Sequence, residues 1–151
     1  MYRRLGSVAT MLVGLLCVVS AALAEPRKIN TDENRVAIQG YDTVAYFTLG
    51  KATKGEPRFE ARWEDVRWQF ASAEHRDLFL RDPERYAPRF GGFCAVGLAR
   101  GHLAVVDPEV WQIVNDKLFL IYSKQSQETL QADVSGTIAV AEKNWRDLGR
   151  R

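Results

Sequence analysis

The stretch "RFEARWEDVRWQF", residues 58–70, sets apolar side chains at alternate positions on both sides of an acidic pair. Phe59, Ala61 and Trp63 precede Glu64-Asp65, and Val66, Trp68 and Phe70 follow it. A period of two lines one face of a strand. Two such runs joined by two polar residues predict an antiparallel hairpin with an aromatic face. A second hairpin is expected where Val110–Val114 and Leu118–Tyr122 flank Asn115-Asp116, a natural turn pair.

Between and around the hairpins the spacing turns helical. In "SAEHRDLFLRDPERYAP", Ser72 is a good N-cap, Glu74 sits in the first turn, and Leu78 and Phe79 supply the apolar face. Pro83 limits that helix at Arg81 or Asp82 and opens a short turn through Glu84–Tyr86. A short helix or turn is expected near Tyr41–Phe47. Another is expected in "GGFCAVGLARGH", starting at the glycines and ending at Gly101. The tail from Ser123 to Leu148 reads as helical, with a break near Ser135-Gly136 and Trp145 packing it onto the core. No internal sequence repeat and no low-complexity tract stands out. The expected fold class is α+β: a small antiparallel sheet built from two hairpins, packed with several short helices.

The N-terminus bears on compartment. "MYRRLGSVATMLVGLLCVVSAALAE" has a basic start (Arg3, Arg4), an apolar stretch from about Val8 to Leu23, and the small-x-small pattern Ala22-Leu23-Ala24. It reads as a secretory signal cleaved after Ala24, with a signal anchor as the alternative and the export route, Sec or Tat, open. The expected organisation is a signal peptide over 1–24, a polar arm over 25–35 and a single domain over 36–148. Taking 24 of the 151 residues away leaves 127, the size of one domain. Arg3 and Arg4 leave with the signal, so 21 basic residues become 19, against 19 acids. A mature chain of about zero net charge has no basic stripe for nucleic acid. No other segment approaches the ~20 apolar residues of a membrane span. The expected location is periplasmic or secreted.

Cleavage also removes Met1, Met11 and Cys17, leaving Cys94 as the one thiol beside two imidazoles, His75 and His102. Cys94 has three readings: a buried small hydrophobe, half of an intermolecular disulfide, or a metal or redox group activated by a nearby helix N-terminus. His75 shares a helix face with Leu78 and Phe79, and His102 follows Gly101 at a helix end. "GYDTVAYF", with Tyr41, Asp42 and Tyr46, is an aromatic-acid cluster that can line a ligand pocket, as is the face of Trp63, Trp68 and Phe70, although core packing is the better reading of that stripe. There is no Cys-x-x-Cys, His-Glu-x-x-His, P-loop or nucleophile elbow, so no catalytic motif is recognisable.

Three segments, "VAIQGYDTVAYFTLGKATKG", "WQFASAEHRDLFLRDPERYAPRFGGFCA" and "VDPEVWQIVNDKLFLIYSK", resemble the exported YHS-domain proteins, from about Val36 to Trp145. The run F-x-S-x6-F-x3-P-E-x-Y is matched in register by Phe70, Ser72, Phe79, Pro83, Glu84 and Tyr86. The resemblance implies a small metal-binding type of domain related to the TRASH domain and found beside heavy-metal transport genes. The family's usual ligands are cysteines, in D-P-V-C and F-C-S-x-x-C. Those positions fall here on Ala45, Ala71 and His75, so the usual site cannot form and His75 is what survives of it. The metal set expected from this likeness is Cys94 with His75 and with Asp42 or Tyr41 as a third ligand, His102 ranking lower. The ion would be copper, zinc or another transition metal, held for storage, delivery or sensing, with a metal-transport or envelope protein as partner. The alternative is a metal-free adaptor that kept the fold and lost the ligands.

Overall fold

β1 (Glu56–Trp63) pairs antiparallel with β2 (Val66–Phe70), and β3 (Asp107–Val114) with β4 (Lys117–Ile121), in a computed structural model that describes residues 28–148. The fold is α+β, and the hairpins stand as two separate two-stranded sheets. Their reversals share one geometry. Glu64 and Asp65 have φ of 52° and 58°, and Asn115 and Asp116 have 50° and 57°. Positive φ at both central residues is the type I′ turn, whose twist matches that of the strands it joins. The signal expected over residues 1–24 lies outside the described residues.

Six helices complete the described chain: α1 (Ala45–Thr48), α2 (Ala73–Arg81), α3 (Pro83–Tyr86), α4 (Ala95–Ala99), α5 (Lys124–Ala132) and α6 (Val134–Leu148). Ser72 caps α2, its Oγ accepting the His75 N–H at 3.1 Å. Asp82 ends α2 and caps α3, accepting the Arg85 N–H at 3.2 Å, with Pro83 at the first helical position. Two expectations shift. The helix placed at Gly91-Gly92 begins instead at Ala95, because Phe90, Gly91 and Gly92 have φ of 57°, 61° and 81°, which no right-handed helix accommodates. The break in the tail falls at Asp133 (φ −152°), and Gly136 lies inside α6, where its N–H is taken by the Asp133 carboxylate at 2.9 Å.

The chain also contains a structural repeat that its sequence does not announce. β3 starts at 107 where β1 starts at 56, β4 at 117 where β2 starts at 66, and α5 at 124 where α2 starts at 73, a constant offset of 51. The strand registers, the turn residues and the nine-residue helices coincide. So do the caps: Ser72 (φ −152°, ψ 162°) matches Ser123 (φ −158°, ψ 165°), and Asp82 (φ −150°, ψ 75°) matches Asp133 (φ −152°, ψ 82°). Before each hairpin lies a run of three positive φ, at Ile38-Gln39-Gly40 and at Phe90-Gly91-Gly92, here 52 residues apart. Tyr41 and Phe93 then return to extended backbone ahead of the short helices α1 and α4. The unit is therefore turn, short helix, hairpin, capped helix, closing helix, built twice.

The two units share a core. Trp68 with Phe70 and Phe79 from the first, and Leu118 with Leu120 and Leu130 from the second, are 0–2% exposed in one cluster. Tyr46 crosses between the units: its hydroxyl donates to the Pro108 carbonyl at 2.8 Å and its ring meets Trp111 edge-on at 5.2 Å. The polar arm expected as a loose linker is docked from Lys28 onward. Asn30 N–H donates to Gly91 O at 2.8 Å, and the Asp32 carboxylate takes the N–H groups of Asn34 and Val36, each at 2.9 Å.

Candidate functional site

The most heavily bonded side chain inside the first unit is Asp42. It is 0% exposed, and it follows the positive-φ turn that aims it inward. Its Oδ1 accepts the N–H groups of Val44 and Ala45 at 2.9 and 3.2 Å. Its Oδ2 accepts the Ala71 N–H at 2.9 Å and His75 Nδ1–H at 2.6 Å. A carboxylate offers about four lone-pair sites, so the centre is filled. It ties the start of α1 to the stretch where β2 ends and α2 begins, about thirty residues further along the chain.

His75, 9% exposed, continues the chain outward. Its Nε2 lies 3.0 Å from the hydroxyl of Thr48, which is also 3.2 Å from Val44 O. Because Asp42 can only accept, Nδ1 carries a proton, and the second ring nitrogen sets the direction of the outer bond. A neutral ring accepts from the Thr48 hydroxyl; a charged ring donates to it and the hydroxyl donates to Val44 O. The order acid, imidazole, hydroxyl is that of a nucleophile relay. Thr48 is nevertheless held against the Val44 carbonyl at the start of its own short helix.

The metal set expected from the sequence is not assembled. Among the described residues no three His, Cys, Asp or Glu side chains gather as a metal ion requires. Asp42 and His75 do come together, as partners of each other. Atoms that share a transition metal at about 2.0–2.2 Å stand roughly 3 Å or more apart, whereas these two are 2.6 Å apart. Cys94, 1% exposed, caps α4: its Sγ accepts the Gly97 N–H at 3.4 Å and its own N–H donates to Ala104 O at 3.0 Å. His102 is exposed past the end of α4, its backbone N–H bonded to Gly97 O. Tyr41 hydroxyl donates to the Glu109 carboxylate at 3.3 Å; burial foremost, then the Glu109 charge, raises its pKa. Of the five candidates, one pair converges and three lie apart. Sequence reading placed Asp42 and His75 in the same set but missed Thr48, whose only signal was its place on the helix after "GYDTVA".

Ala45 and Ala71 direct their backbone N–H groups, and His75 its ring, at the one carboxylate of Asp42. Comparison with models of known families, with curated proteins and with solved structures finds no match.

Proposed function

We propose that this chain is an exported YHS-like module whose centre is held by hydrogen bonds where relatives of that type hold a metal, and that it serves the cell envelope as a binding module instead of a metal carrier or an enzyme. The observation that carries the reading is the saturated Asp42 carboxylate, with all four of its acceptor sites taken by N–H groups from the three positions where ligands are expected and from Val44. A metal entering there would displace one of these donors and strand it in a buried site, which is costly. Cys94 sits at the cap of α4 with its sulfur already accepting a hydrogen bond.

The test is to purify the mature chain without a metal-affinity tag, measure bound metals by mass spectrometry, and melt it with and without EDTA. The expected result is no stoichiometric metal and superimposable melting curves. Stoichiometric copper or zinc that is lost in His75→Ala would overturn the reading and restore metal binding as the function.

A further inference from the structure

The segment joining the two units, residues 87–91, forms one wall of a cleft of about 290 Å³. Three of the chain's four tryptophans line it: Trp63 and Trp68 from the first hairpin and Trp145 from α6. Phe90 lines it too, 4% exposed and 6.2 Å from Trp145, ring to ring. Trp63 and Trp68 stand 5.7 Å apart, ring to ring. Flat, stiff rings from three separate elements thus face one space, and the fourth tryptophan, Trp111, is engaged elsewhere with Tyr46.

The cleft also holds a cation with unused capacity. Among the described residues Arg89 makes one long hydrogen bond, from Nη2 to Glu142 at 3.4 Å, and its enclosed Nε has no partner. A guanidinium presents five donors in a fork that matches a carboxylate. Arg89 is the one cation among the described residues that line the cleft, so the cleft can pair a single carboxylate. The volume falls just below the usual range of small-molecule sites, about 300 to 1,000 Å³, and suits one or two fused rings.

We infer that this cleft binds a flat apolar molecule carrying a single carboxylate, with its rings between the tryptophans and its carboxylate on Arg89. The Asp42 centre takes no part, so metal content tests the proposed function and ligand binding tests this inference separately. The experiment is a titration of the 15N-labelled mature chain with 2-naphthoate and, in parallel, with 2-naphthamide, following the four indole N–H signals by NMR. The signals of Trp63, Trp68 and Trp145 should shift and saturate while Trp111 stays in place. The acid should bind about tenfold more tightly than the amide, the worth of a charge-assisted pair, and Arg89→Gln should abolish that difference. Glu142→Gln, which releases Arg89 from its long bond, should tighten binding of the acid. The inference fails if no saturable shift occurs, if all four signals move together, if acid and amide bind alike, or if Glu142→Gln weakens the acid.

Discussion

The two units solve one packing problem with different chemistry. In the first, the short helix after the positive-φ turn is fastened by Asp42, which draws in α1, β2 and α2 through four hydrogen bonds. In the second, the matching place after the turn is Cys94, which takes one N–H, and the place of His75 is Ser126, whose side chain bonds, among the described residues, to its own cap Ser123. What holds α4 instead is α6. That helix has fifteen residues where α3 has four. Asn144 on α6 donates to Leu98 O at 2.7 Å, and Trp145 packs against Phe90 and Phe93. A long amphipathic helix supplies apolar burial over the second unit. The first has a one-turn closing helix and depends on a polar centre, which is stabilising only while every member is satisfied.

The largest expected effect tests that difference directly. Asp42→Ala leaves three backbone N–H groups and an imidazole without an acceptor, and should cost about 3–5 kcal/mol, while Cys94→Ala should cost roughly 1–2 kcal/mol. Urea denaturation of the two variants measures both, and equal losses would contradict the contrast. Next comes the bond between the units. Tyr46→Phe strands the Pro108 carbonyl and should cost about 1–3 kcal/mol at neutral pH. Burial, with lesser help from Glu109, raises the Tyr46 pKa above its ordinary value. Its contribution is therefore complete below about pH 10 and lost as pH rises through the folded value. The wild-type chain should lose ground to Tyr46→Phe in alkaline melts, and a gap that stays constant with pH would sink the assignment.

A smaller effect tests the likeness of the units. Ser72→Ala and Ser123→Ala remove equivalent caps and should each cost about 1 kcal/mol; losses differing severalfold in thermal melts would mean the two helices are not doing the same job. The smallest concerns a pair present in one hairpin only. Arg67 lowers the Glu60 pKa, chiefly through hydrogen bonds at 3.0 Å, and the equivalent residues of the second hairpin are Trp111 and Leu118. The stability from Glu60 is present above its unfolded pKa and lost as pH falls through the folded one. Glu60→Gln should thus be slightly less stable than wild type at neutral pH and equal to it in acid, as a pH series of denaturation curves would record.

The hairpins were legible because strand alternation and turn pairs are local properties, and the Ser72 cap for the same reason. The repeat was not. What the units share beyond pattern is mostly side chains that fix backbone angles, such as Asp65 with Asp116, Ser72 with Ser123 and Asp82 with Asp133. Core positions accept any apolar residue of fitting size, as Trp68 against Phe119 and Phe79 against Leu130 show, so the two sequences differ while the geometry agrees. At the candidate site, Asp42 and His75 are 33 residues apart, and their types alone do not distinguish two ligands of a metal from two partners of each other. The spatial fact that decides between them, a carboxylate already full, comes from backbone N–H groups that no residue name reveals. Cys94 drew attention as a lone thiol, yet its place is that of a helix cap.

Joining the two units in one chain has a consequence for how they can change. In a symmetric pair of identical subunits, any replacement at the place of Asp42 would appear on both sides at once, and losing the polar centre would unfasten both short helices together. In a single chain each place mutates alone. One unit can keep its carboxylate and imidazole while the other exchanges them for a thiol, a serine and a longer closing helix, and the shared core carries the asymmetry.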